Sequence, residues 1–596
     1  MAKPDRRNLK TSPHLTGLIR ACHMDVCRYL CDRDNLAISS SYHDPLEVLQ
    51  YVSCELDEAV CMSSFYRYSA LRQIEALLKK NVDLPGTSAR GRTEAAMATF
   101  RKSEKICWET NLRLRYFRNH PSRMSYDMQR VLGLAQSISS DIFGPMKRIV
   151  FHKICEQSGF GPGFNFGSTE QEHRHLYFKV AGPHTVTSEA LPYAKVLLNY
   201  SDNWKQSLID EGCTYDVVRG NRVTSVPKTA VTDRTIAIEP SLNVFIQKGV
   251  DSFLKGRLRH FGVDLTKQEA NHLPAKLGSQ RPLHAATVDL SMASDCISRE
   301  IVRWLVPDLW HTLLDDLRSR EYTLDKGETW KSYEKFSSMG NAFTFPLETI
   351  IFYSLAKACT ILSGGDLKVL RVYGDDIIID PRAVLLLYET LEFTGFTPNI
   401  TKSFAFGNFR ETCGSDFLSG VDVRPVYVKR LPRYDQEVYN LFNRLLNNRV
   451  GFRLHNLCEY LYGLVKRPFV GPPDLPPGEK FLSWYAGKSV IYDHYFHAPP
   501  ELGDRFKRFD LDLQRTYWRL QIVRFAPRAM DTSNWTLQLW YLVFLLGLPN
   551  TGHKGGLKQV DSVSRFRRIT PTENFYRWDA LPWRPAFFDC LWDTST

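Results

Sequence analysis

The chain has 596 residues, a net charge of +12 at neutral pH, and 43% hydrophobic against 24% charged residues. This composition excludes wholesale disorder, and the length exceeds one simple core, so two to four structural units are expected. The cationic surplus, with a pI near 9.0, points past a merely solubilising surface to a polyanionic partner, nucleic acid first.

The basic start, MAKPDRRNLK, is not followed by an apolar signal core. Residues 1 to about 150 read as mostly helical, because PLEVLQYVSCELDEAV and YSALRQIEALLKK carry apolar residues at helical spacing. Cys22, Cys27 and Cys31 beside His23 make a poor zinc pattern and read as one face of a helix. The 13 cysteines are an odd number with no CxxC pair, which fits reduced thiols in a cytosolic compartment. GFGPGFNFGS, Gly159 to Ser168, lacks a phosphate-cradle lysine and reads as a mobile loop.

From about 170 to 430 strands and helices mix. VRGNRVTSVPKTAVTDRTIAIEP places Arg219, Arg222, Lys228 and Arg234 along β-prone sequence. Such a ribbon presents cations to phosphates, or is simply a solvated charged hairpin. HAATVDLSMASDCISREIVRWL begins as a strand ending at Asp289, a frequent position for chemistry. A helix is expected from about Ser294, with Ile297, Ile301 and Leu305 on one face, Asp295 in its first turn and Pro307 ending it. In SSMGNAFTFPLETIIFYSLAK, Ser337 to Asn341 read as a flexible turn. The following helix buries Phe343, Leu347, Ile351 and Leu355, with Thr344 and Glu348 one turn apart on another face.

LKVLRVYGDDIIID, Leu367 to Asp380, reads as a hairpin with Asp375 and Asp376 at its tip. At a tip, carboxylates can converge on a cation rather than be buried unpaired. Oxygen-only acids from distant segments suit magnesium, which keeps waters and binds substrate phosphates. Two such ions can activate a hydroxyl and stabilise a leaving pyrophosphate, and the ribbon's cations would neutralise a triphosphate. Lys402, in GFTPNITKSFAFG, is either a general acid for that pyrophosphate or an ordinary surface lysine.

Beyond about 430 the chain reads as helical and aromatic. GPPDLPPGEK, Gly471 to Lys480, is a proline-rich connector. LWYLVFLLGL, Leu539 to Leu548, is about half a membrane span and reads as a buried helix, so no membrane association is expected. Trp535, Trp540, Trp578 and Trp583 serve core packing, or one of them stacks under a nucleotide.

The ordered stretches TDRTIAIEPSLNVFIQ, ATVDLSMASDCIS, SSMGNAFTFPLE, VYGDDIII and FRETCGSDFLSGVDVRPVYVKR resemble the motifs of viral RNA-dependent RNA polymerases. They are similar in wording to the replicase subunit of leviviruses, the small positive-strand RNA bacteriophages, densely from Val226 to Arg430. The resemblance implies an α+β right-hand fold with fingers, an antiparallel-sheet palm and a helical thumb. It divides the chain into an N-terminal helical region (1–150) bridging fingers and thumb, fingers with the basic ribbon (151–285), palm (286–430) interrupted by a fingers segment (about 307–336), and thumb with a C-terminal helical region (431–596).

By the same resemblance Asp289, Asp375 and Asp376 bind two Mg2+ ions, with Mn2+ as a substitute. Lys228 and Arg234 contact the triphosphate, and Lys402 is the general acid. Asp295 lies near the incoming ribose, and Gly340 and Thr344 shape the nucleotide pocket. Where most viral RNA polymerases carry Asn, this chain has Glu348, as levivirus replicases do; a carboxylate also accepts a hydrogen bond from a 2′-hydroxyl. Implied partners are an RNA template and product, ribonucleoside triphosphates, host translation elongation factors Tu and Ts, and a ribosomal small-subunit protein, in the cytoplasm of a bacterial host. Initiation without a primer is expected. Two other readings remain open from sequence. One is a reverse transcriptase, which typically has a bulky aromatic near the ribose where this chain offers Asp295. The other is a non-catalytic basic RNA-binding protein.

Overall fold

The computed structural model describes residues 9–465 except 62–64, 162, 168–178, 180–182, 200–203, 207–214, 282, 326, 434 and 447–453, together with short strand segments between 470 and 577. It is a mixed helix and sheet fold with two large cores. The larger core runs from Leu114 to Phe396, and the second joins Leu15–Leu84 to Phe409–Val465. The N-terminal 150 residues, expected as one region, therefore divide between the two. Helices up to Phe65–Leu78 pack with the later segment, whereas Tyr126–Phe143 and Arg148–Glu156 belong to the larger core.

Ala89–Asn119, 31 residues long, starts on a Ser88 side chain that accepts from Gly91 N at 3.0 Å. Its buried face, Ala96, Phe100, Ser103, Cys107 and Leu114, follows the helical repeat. Thr344–Leu362 differs: it is apolar almost all round, so it can only be a buried helix. It is long and apolar enough to cross a membrane, yet 78% of that stretch is buried inside the protein. The four residues expected inside, Phe343, Leu347, Ile351 and Leu355, are fully buried.

Against that helix lies a three-stranded antiparallel sheet with Asp376–Ile379 in the middle, flanked by Ala286–Val288 and Arg371–Tyr373. Ile377, Ile378 and Ile379 are buried, as a central strand covered on both faces requires. A second sheet holds the basic ribbon, Gly220–Pro227 paired antiparallel with Asp233–Ile238. Glu321–Thr323, from the 307–336 stretch, adds to the ribbon as a parallel neighbour instead of joining the central sheet.

Two local expectations are corrected. The helix expected from Ser294 to Pro307 is a 3-10 turn, Ala293–Cys296, followed by a separate helix, Arg299–Leu305. Ile297 is extended between them, and the Ser298 hydroxyl caps the second by accepting from Ile301 N; a serine that bonds the backbone locally starts a helix better than it continues one. Pro307 heads the next helix, Asp308–Leu317. The expectation of a helical region over 431–596 also fails in part. Asp435–Leu446 and His455–Gly463 are helices, but the segments described beyond are strands, such as Lys507–Asp510, Arg515–Arg519 and Arg565–Arg568. Their Phe, Tyr, Trp and Thr residues suit a pleated surface better than a helix. The Leu539–Leu548 run and Trp535, Trp540, Trp578 and Trp583 lie outside the described residues.

Candidate active site

The acidic hairpin has a two-residue loop, since Asp376 pairs with Tyr373 across it. Gly374 has φ +62, the conformation a glycine-first hairpin turn requires. A Cβ there would meet the Phe345 ring at 2.6 Å, and Gly374 N donates to Thr349 Oγ1 at 3.2 Å, so the tip is seated on helix Thr344–Leu362. Asp375 stands at the tip and Asp376 opens the central strand.

Asp289 reaches the same place from another strand. Val288 is the register partner of Ile377, so Asp289 leaves its strand beside Asp376, the residue before Ile377, and the Asp289 charge acts on Asp376. Immediately afterwards the chain changes partner, and Leu290–Ser291 pairs with Thr397–Pro398. That second pairing supplies groups that sequence reading missed. Asn399 Nδ2 donates to Asp289 Oδ2 at 2.8 Å, and Asp289 N donates to Ser403 Oγ at 3.1 Å. Asn399 and Ser403 flank Lys402 in a motif read only for its lysine.

Among the described residues no carboxylate of Asp289, Asp375 or Asp376 has a basic side chain within 4 Å. Burial, and then repulsion from Asp375, lifts Asp376 to about 7; the amide and thiol of Cys413 act against this. Burial lifts Asp289 to about 6, opposed by the Lys402 charge and the Asn399 amide and reinforced by Asp375. Carboxylate oxygens partly removed from water, with no ammonium or guanidinium within 4 Å among the described residues, are the donor type that a hard divalent ion takes. No group of three His, Cys, Asp or Glu side chains is already gathered in metal-binding geometry among the described residues.

The basic side chains border this cluster. Lys228 is at the ribbon's tip, exposed along its length. Local desolvation of its ammonium, then Arg234 and Lys402, lower its pKa, while Asp375 and Asp289 oppose them. Lys228 therefore lies within electrostatic reach of Arg234 and Lys402 on one side and of Asp375 and Asp289 on the other. Arg219 is committed elsewhere, to Glu321 at 2.6 Å. Lys402 is exposed in the turn Ile400–Lys402.

Glu348 is buried one turn below Thr344. Burial first, then Asp375 and Asp295, push its carboxyl well up, and Arg234 opposes. Glu348 thus lies between the charges of Asp375 and Asp295. Asp295 is not a helix-dipole acid: its Oδ1 accepts from Lys335 Nζ at 2.8 Å, and the lysine side chain is only 1% exposed. Lys335 also lies 4.4 Å over the Phe100 ring, and its charge reaches the half-buried Glu104. Neither Lys335 nor Glu104 carries a local sequence signal.

Gly340 and Thr344 build the turn between them. Gly340 has φ +113, and a Cβ there would fall 1.9 Å from the Ala237 carbonyl oxygen. Ala237 N donates to Met339 O at 2.6 Å, so the turn is laced to the ribbon. The Thr344 hydroxyl donates to Ser337 Oγ or Ser338 O, at 3.0 and 2.9 Å. Ser337, Ser338 and Asn341 are buried, so the turn expected to be flexible is held by hydrogen bonds on both sides.

The family model for the RNA replicase beta-chain matches residues 31–450. The RNA-directed RNA polymerase subunit beta of Enterobacteria phage SP is 39% identical over 336 residues, which is 56% of this chain and 57% of the relative. That of Escherichia virus Qbeta is 38% identical over 343 residues, 56% of this chain and 55% of the relative. The beta chain of Enterobacteria phage fr is 33% identical over 410 residues, 67% of this chain and 73% of the relative. The chain thus spans a little over half the length of the first two relatives.

Proposed function

From its membership of the RNA replicase beta-chain family, we propose that this chain is an RNA-directed RNA polymerase that copies a single-stranded RNA phage genome. The observation that most supports this is the cross-strand placement of Asp289 beside Asp376, with Asp375 on the adjoining hairpin tip. In this reading Asp289, Asp375 and Asp376 hold two Mg2+ ions, or Mn2+ in their place. When bound, the ions supply Lewis-acid activation and charge neutralisation for nucleotidyl transfer. The chain's own residues do the rest. Lys228 and Arg234 orient the triphosphate, and Lys402 donates a proton to the departing pyrophosphate. Asp295 and Glu348 face the ribose, and Gly340 and Thr344 set the turn that bounds the pocket.

The right-hand arrangement is part of the same proposal. The central sheet is the palm, and residues 151–285 with 307–336 are the fingers; the pairing of Glu321–Thr323 with the ribbon supports that grouping. Residues 1–150 bridge fingers and thumb, and 431–596 are the thumb and C-terminal region. RNA and ribonucleoside triphosphates are the substrates, initiation needs no primer, and elongation factors Tu and Ts with a ribosomal small-subunit protein are the partners in the bacterial cytoplasm.

The test is template-dependent synthesis by the chain purified with its co-purifying host proteins. Incorporation of ribonucleotides, far above deoxyribonucleotides on one RNA template, separates it from a reverse transcriptase. Asp375→Asn should abolish synthesis while RNA binding persists. Synthesis at the normal rate by that variant would remove Asp375 from the mechanism, and a wild-type fraction that binds RNA but never extends it would leave only the non-catalytic reading.

A further inference from the structure

The polymerase reading employs Lys228, Arg234 and Lys402 but leaves an adjoining group of cations unassigned. It begins where helix Phe65–Leu78 ends. Lys79 O accepts from Ala230 N at 2.9 Å, Ala76 O accepts from Val428 N at 3.1 Å, and Lys429 O accepts from Val82 N at 3.0 Å. These three main-chain bonds stitch the helix end to the ribbon's tip on one side and to residues 428–429 on the other. Lys80, Lys228 and Lys429, far apart in sequence, are thereby brought together.

Tyr427 forms the floor of this region. The Lys80 ammonium lies 4.0 Å from its ring centroid, the Arg424 guanidinium 5.1 Å and that of Arg72 6.0 Å. The ring face attracts each cation, but three cations over one ring also repel. Two of them are matched by carboxylates: Arg72 pairs with Glu75 and Asp416, and Arg424 with Asp416 and Glu411. Lys80 has no such partner. Among the described residues no carboxylate lies within 4 Å of Lys80, Lys228, Arg234, Lys402 or Lys429. Beyond desolvation, Lys80 is pressed by Arg424, Lys402 and Lys429, and Lys402 presses Lys228 in turn. Lys402 is thus common to both groups, and the unmatched positive charge runs continuously from the aspartates to Lys80 and Lys429. Side chains free to spread into water would separate; these are kept together by the backbone that carries them.

We infer that Lys80 and Lys429 form a second phosphate subsite, contiguous with the catalytic cleft, that takes a polyphosphate: inorganic pyrophosphate or the outer phosphates of a nucleoside triphosphate. The ligand's identity rests on the polymerase reading; its charge does not. Lys80 meets it from above the Tyr427 ring and Lys429 from the exposed side, each donating charge-assisted hydrogen bonds to phosphate oxygens.

The experiment uses the full chain with its natural partners and needs no catalysis. Binding of inorganic pyrophosphate, of a ribonucleoside triphosphate and of a short RNA is measured by calorimetry for wild type, Lys429→Met, Lys80→Met/Lys429→Met and Lys80→Arg/Lys429→Arg. Lys429→Met is at an exposed position and guards against a folding artefact. Wild type is expected to bind pyrophosphate. The double methionine variant should lose about tenfold or more in affinity, Lys429→Met a smaller factor, and the arginine pair should retain most of it. A loss for pyrophosphate alone identifies the released product as the ligand; a parallel loss for the triphosphate identifies the nucleotide's outer phosphates. Unchanged affinity for both in the methionine variants overturns the inference, as does a loss confined to RNA, which would make the lysines part of a backbone-binding surface. If wild type binds pyrophosphate but makes no RNA, the polymerase reading fails while the subsite stands.

Discussion

Lys335→Met tests how the ribose-facing acid is held. The ammonium and the Asp295 carboxylate are 2.8 Å apart, with side chains 1% and 11% exposed. At an effective dielectric near 20, attraction at that distance is about 6 kcal/mol, much of it offset by removing both ions from water. Deleting one partner does not return the desolvation of the other, and Glu104 nearby also loses its cation. A destabilisation of about 3–5 kcal/mol follows. Its pH dependence carries the sign. Burial already holds the Glu104 carboxyl above its ordinary range against the Lys335 charge, so removing the lysine raises it further. The penalty is therefore nearly absent below about pH 4 and grows as pH rises through the raised folded value. Urea unfolding of wild type and variant at pH 5 and pH 8, followed by tryptophan fluorescence, should show a larger loss at pH 8. Asp295→Asn added to Lys335→Met should recover part of it. Equal loss at both pH values, or none at pH 8, would refute the argument that an uncompensated charge is the cause. In synthesis assays the variant should also discriminate less between ribo- and deoxyribonucleotides, and Lys335→Arg should restore part of that discrimination.

Lys228→Ala and Arg234→Ala should each raise the nucleotide KM about tenfold with a smaller change in kcat, because each removes a charge-assisted phosphate contact; steady-state kinetics on one template checks this, and unchanged KM in both returns them to a solvated surface. At the proposed metal site protons compete with Mg2+ for Asp289 and Asp376, which burial lifts to about 6 and about 7. Lowering pH from 8 to 6 should therefore weaken Mg2+ affinity by roughly tenfold to twentyfold, and a magnesium titration with the same slope at both pH values would show that these acids are not the ligands. Gly340→Ala places a methyl group against the Ala237 carbonyl at a position with φ +113. It should destabilise the chain by about 2 kcal/mol or more and depress activity even where folding survives; thermal unfolding in parallel with the synthesis assay separates the two effects.

Much of this site was legible along the chain because its signals are local. A β-prone run broken by Gly-Asp-Asp favours a hairpin, so the turn and Asp375 at its tip could be placed from Leu367 to Asp380 alone; Asp376, expected beside it, is already the first residue of the returning strand. The helix from Thr344 to Leu362 follows from nineteen mostly apolar residues, although burial extends to the face of Thr344 and Glu348 as well, and the ribbon's cations follow from one hairpin. The partners of these residues were not legible. Asp295 depends on a lysine 40 positions away, and Asp289 on an asparagine 110 positions away. Lys80 is brought near Lys429 only because the helix end before it bonds to the irregular segment at Val428 and Lys429, from the other end of the second core. Local sequence determines which conformation a short segment prefers, since backbone sterics and hydrophobic spacing act over a few residues. Which charge faces which is decided by long-range strand register and by the packing of the two cores, and those contacts exist only once the chain has closed on itself.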